Sequence, residues 1–189
     1  MRFLIFCVCG VLGTSTVGAV SFEPRDFDAL ATEADQVVIG TAVATNSRRT
    51  GTREIVTDYR FTDLEIVKGT VVTTSLTLTM LGGTVGTDTL TVAGAPTFKK
   101  GFRYLVFIAG NGSVMFPLVG VQQGIFQIRK EASTGISRVH DYAGRAVTRL
   151  PGGRGHAVEN QLDVNVGETL TEAAFVDAIR MKAAQRSAK

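Results

Sequence analysis

Beyond its first twenty residues the chain has no cysteine. The only two, Cys7 and Cys9, lie in "MRFLIFCVCGVLGTSTVGAV". That stretch has one positive charge at Arg2, an apolar run from Phe3 to Leu12, and small residues ending in Val17-Gly18-Ala19. This is the layout of a secretory signal peptide, residues 1–19, cut after Ala19. The run is too short for a bilayer, which needs about 20 apolar residues. Phe6-Cys7-Val8 are also not the small residues that a lipidated Cys9 requires. The expected mature chain is secreted or periplasmic and has no membrane span. It carries no disulfide, thiolate ligand or cysteine nucleophile, so its stability must come from its core. About 170 mature residues suffice for that as one domain.

Other shortages narrow the chemistry. Tryptophan is absent and there are two histidines, His140 and His156. His140 precedes Asp141, but neighbours on a strand point to opposite faces. His156 sits in a glycine-rich stretch. No serine occupies a G-x-S-x-G turn, and Ser113 in "GNGSVM" reads as an ordinary turn residue. Nucleophilic catalysis needs a nucleophile held against its base, and no such pair is visible. Neither H-E-x-x-H nor an acidic calcium loop occurs, and "LGGTVG" lacks the lysine and helix of a phosphate loop. Asp63 and Glu65 read as the solvent side of an edge. No catalytic, cofactor or metal residue is therefore assigned. The formal charge of +3 falls to +2 without Arg2 and is interleaved along the chain, which excludes a nucleic-acid footprint. Tyr59, Phe61, Phe102, Tyr104 and Phe107 accordingly read as core.

What is present is short-period apolar pattern. Phe27, Leu30, Ala31 and Ala34 are spaced for a short helix started at Pro24 and Asp26. "DQVVIGTAVAT" reads as a buried strand, and "NSRRTGTRE" as the loop Asn46–Glu54. In "IVTDYRFTDLEIVKG", Tyr59 and Phe61 share one parity while Leu64 and Ile66 share the other, which demands a β-bulge near Thr62-Asp63. "TSLTLTML" alternates, with Leu76, Leu78 and Met80 inward. "GGTVG" is a turn within a loop Gly82–Asp88, followed by a short strand "TLTVAG". Lys99-Lys100-Gly101 is a solvated turn before "FRYLVFIA", which is apolar on both faces and suits a central strand. "SVMFPLVG" and "GIFQIRK" read as a strand pair, and "ISRVHDYAGRAV" as a last hairpin. Residues 151–168 read as a flexible linker. Thr169-Leu170-Thr171-Glu172 then opens a C-terminal helix over 169–189 with a capping-box pattern. The sum is a mainly β domain over 20–150, favouring a curled antiparallel barrel with a helix at each end.

Three segments in order carry a resemblance: "EADQVVIGTAVA" (33–44), "YRFTDLEIVKGT" (59–70) and "FKKGFRYLVFIAG" (98–110). Together they resemble netrin-like modules, which include the inhibitory domain of tissue inhibitors of metalloproteinases, and exported bacterial proteins of the same pattern. The resemblance covers 33–110. It implies an OB-like, five-stranded antiparallel β-barrel with helices packed against it, and a role in binding another protein, such as an extracellular protease. Those inhibitors act through an N-terminal cysteine that chelates zinc. No cysteine remains here, so no functional residue carries over. The expected function is a non-enzymatic exported module that binds a protein. The alternatives are an exported hydrolase using His140 with carboxylates, or a cell-envelope assembly factor docking through its C-terminal helix.

Overall fold

The computed structural model describes residues 24–52, 54–70, 73–150 and 168–187. The expected leader, His156 and all of the expected linker except Glu168 lie outside them. Helix α1 (Phe27–Glu33) is capped by Asp26, whose carboxylate accepts from the Ala29 N–H at 2.7 Å. Eight strands follow: β1 (Gln36–Arg49), β2 (Ile55–Lys68), β3 (Leu76–Leu81), β4 (Gly83–Val85), β5 (Asp88–Leu90), β6 (Arg103–Ile108), β7 (Ile125–Lys130) and β8 (Ser137–Asp141). Helix α2 (Glu172–Ser187) ends the described chain. All pairing is antiparallel. Six strands form one sheet in the order β3-β2-β1-β6-β7-β8, and β4 pairs with β5 in a separate ribbon. The mainly β expectation, with a helix at each end, holds.

Alternation along the central strands gives the sheet two buried faces. Val37 and Ile39 of β1, Leu105 and Phe107 of β6, Phe126 and Ile128 of β7, and Val139 of β8 pack under α1 and α2. The residues of opposite parity, Val38, Tyr104, Val106 and Ile108, turn to the other face. There they meet Tyr59 and Phe61 of β2 and Leu76, Leu78 and Met80 of β3. The apolar stripe of α2 is covered: Phe175 stacks on Phe27 and Phe126, with ring centroids 5.7 and 4.9 Å away. The stripe that a docking helix would leave open is thus part of the core.

The bulge read from β2 is present. Ile39 pairs with Glu65 and Thr41 with Thr62, so β2 holds one extra residue there, and Asp63 adopts a left-handed φ of 53°. That residue lets Leu64 and Ile66 join Tyr59 and Phe61 against the same core.

Several expectations are corrected. Phe102, read as core, is 41% exposed. Asn46–Arg49 continues β1, because Ser47 bonds Thr57 and Arg48 bonds Asp58 across the strands, so polar pairs replace apolar alternation. Within Gly82–Asp88, residues 83–85 are strand β4. "SVMFPLVG" is a loop with a single bridge, Leu118 to Ile108, since Gly110 and Gly112 take positive φ and Pro117 lacks an N–H. The cap of α2 is Thr171, whose hydroxyl accepts from the Ala174 N–H at 3.2 Å, and not Thr169.

The sheet does not close into a barrel through strand pairing, as β3 and β8 are its two ends. Segment 94–101 occupies the gap. Phe98 meets Tyr59, Phe61 and Tyr104 edge-on at 5.2, 5.0 and 5.0 Å. From the far side, the Tyr142 hydroxyl accepts from the Thr97 N–H at 2.9 Å, and Gln122 Nε2 donates to the Gly94 carbonyl at 3.0 Å.

Candidate functional site

His140 lies on β8 opposite Gln127 of β7, which in turn faces Tyr104 of β6. Asp141 is on the other face. Its carboxylate accepts from Arg145 Nε at 2.7 Å and caps the following turn through the Arg145 N–H at 2.8 Å. The two neighbours therefore do not meet, as strand geometry requires. His140 Nδ1 is buried and has no hydrogen-bond partner among the described residues. Burial, and then the Arg129 guanidinium, hold its pKa below the ordinary imidazole value, partly offset by the Arg138 carbonyl and the Asp141 charge. No carboxylate among the described residues is hydrogen-bonded to this Nδ1. Among the described residues, no three of His, Cys, Asp and Glu converge. No helix among them is long and apolar enough to cross a membrane.

Around His140 the inner face ends in an aromatic patch containing all three tyrosines. Burial raises the pKa of Tyr59 and Tyr104, and each is raised further by Tyr142. The Tyr104 hydroxyl accepts from the Lys99 N–H at 3.0 Å. Gln127 Nε2 donates to the Tyr142 carbonyl, and Arg129 donates to Gln127 Oε1 at 2.7 Å. These groups serve one another and fix the segment across the gap. Lys99 and Lys100 are exposed, as the turn expectation had it. Lys99 Nζ stands 5.9 Å over the Phe102 ring, a cation–π contact at the rim.

A different surface was missed by the strand reading of 113–120. In loop 110–118, Val114 is 51% and Met115 63% exposed, although the loop is anchored. The Met115 carbonyl accepts from Leu81 N–H at 3.1 Å, and Asn111 Nδ2 donates to the Thr77 carbonyl at 3.0 Å. Two apolar side chains are thereby presented to solvent on a backbone fixed to the edge of β3. The sequence signal was there: two glycines and a proline around an apolar triplet mark a turn with an apolar tip. Comparisons with protein-family models, with curated proteins and with solved structures gave no match to this chain.

Proposed function

We propose that this chain is an exported module that binds another protein and performs no chemistry of its own, on an opened OB-type sheet of netrin-like kind. The order β3-β2-β1-β6-β7 supports the fold reading. One long, bulged strand is shared by a first meander and a later hairpin, as in a partly open five-stranded Greek-key barrel. The function rests on one observation: Val114 and Met115 stand out on an anchored loop. Exposed apolar side chains on a preorganised backbone suit an interface, because little order is lost on binding. The partner is an extracellular or envelope protein, and a protease is the class the resemblance puts first. With no N-terminal cysteine to chelate a metal, contact falls to loops.

The test is affinity capture by the mature chain from its own secreted fraction. One stoichiometric partner should be recovered by the wild type and by His140→Ala, and lost by the Val114→Asp, Met115→Asp double variant. Hydrolysis abolished by His140→Ala, or a partner retained by the double variant, would overturn the reading.

A further inference from the structure

A cleft of about 490 Å³ lies between the 3₁₀ turn Val121–Gly124, the chain 142–150 that follows β8, and Arg25 ahead of α1. Its volume falls in the range of small-molecule sites, about 300–1,000 Å³. Three arginines from two segments line it, Arg25 on one side and Arg145 and Arg149 of 142–150 on the other, with Asp141 beside them. Arg25 is steadied by Glu33 through Nη1 at 3.1 Å, and its N–H donates to Gln123 Oε1 at 2.6 Å. Arg145 is steadied by Asp141 through Nε. A guanidinium has five donors, so each keeps most of its own free while its position is set. Among the described residues, Arg149 makes no ion pair with a carboxylate. Apolar walls of Phe126, Val147 and Leu150 complete the cleft.

The charge balance points the same way. Residues 121–150 hold Arg129, Lys130, Arg138, Arg145 and Arg149 against only Glu131 and Asp141. Within the interleaved charges, this stretch thus holds three more cations than anions, five against two. Planar guanidinium forks match oxyanions in pairs of hydrogen bonds, and apolar walls beside them take a hydrocarbon body. We infer that the cleft binds an organic anion, one oxyanion group carried on an apolar body. This site is independent of the Val114–Met115 surface, and so is its test.

The probes are phenyl phosphate, inorganic phosphate and phenol, titrated into the isotope-labelled mature protein while amide shifts are followed by NMR. Phenyl phosphate should give saturable shifts gathered at residues 122–123 and 142–150, tighter than either inorganic phosphate or phenol. Added salt should weaken it. Arg149→Gln should weaken it about ten-fold, the effect of one charged hydrogen bond, with an unchanged thermal midpoint. Arg25→Gln should act in the same direction. Shifts scattered over Arg48, Arg180 and other surface arginines would mark unspecific ion pairing and overturn the site. So would phenol binding as well as phenyl phosphate, or Arg149→Gln leaving the titration unchanged.

Discussion

Lys68 sends its ammonium into the end of a helix far from it in sequence. Nζ donates to the carbonyls of Ala34 at 2.6 Å, Ala31 at 2.7 Å and Thr32 at 3.4 Å. These are the carbonyls that α1 leaves without intrahelical partners. Gly69 follows at φ 81°, where a Cβ would stand 2.6 Å from the Asp35 carbonyl. The Lys-Gly ending of β2 was legible as a strand stop. Its helix partner was not, because nothing in residues 59–70 names the carbonyls it serves. Lys68→Met should cost about 2 kcal/mol in urea unfolding, the scale of hydrogen bonds to a charged donor. His140 gives the residue-scale pH effect. Its folded pKa lies below its unfolded value of 6.5, so the unfolded chain binds the proton first and stability rises with pH. The chain should be unaffected above pH 6.5 and lose stability as pH falls from there through the lower folded value. His140→Gln should flatten that slope in denaturant midpoints taken between neutral and mildly acid pH.

The strands divide into those whose pattern is apolar and those held by polar pairs, and only the first kind can be read from sequence. The parity change between Phe61 and Leu64 revealed an inserted residue because both sets had to reach one core, and Asp63 supplies it at a left-handed φ. Val37–Ile39 and Leu105–Ile108 were equally legible, being apolar on consecutive positions. Asn46–Arg49 was not, since it pairs through Ser47–Thr57 and Arg48–Asp58, and the Arg48 guanidinium holds the Asp58 carboxyl below its ordinary pKa. Loop 110–118 erred the other way: apolar residues there serve a turn. The bulge makes a prediction at this scale. Asp63→Gly should be neutral or slightly stabilising, because glycine takes positive φ without steric penalty. Asp63→Val should cost on the order of 1–2 kcal/mol, since a β-branched residue resists that region. Thermal midpoints of the two variants check both signs.

At the scale of the molecule, both ends of the sheet are blocked against further strand pairing. The edge of β3 is met by Met115 and Asn111. That of β8 is met by Leu170, whose carbonyl accepts from the Val139 N–H at 2.9 Å, and by Val147, whose N–H donates to the Val139 carbonyl at 3.0 Å. An exposed edge is a template for aggregation, so a sheet left open must cover its ends, and here loops do so. The same partition explains why the arginine cleft was not legible. Its cations are spread from 25 to 149 in sequence, and only the turn after β8 gathers them. The remaining opening, between β2 and Tyr142, is filled by Phe98 alone among large side chains of segment 94–101. If that ring holds the two flanks together in place of strand hydrogen bonds, Phe98→Ala should cost about 3–5 kcal/mol, as for a buried aromatic, and should also loosen both flanks at once. Hydrogen exchange should then accelerate at the Thr97 and Lys99 amides, whose acceptors are Tyr142 after β8 and Tyr104 on β6, ahead of the amides of β1 and β6. Tyr142→Phe, which removes one acceptor and keeps the ring, should speed Thr97 and leave Lys99 unchanged. Uniform acceleration across all strands in Phe98→Ala would instead mean that the sheet is held by its strand pairing and its helices, with the segment a passive cover.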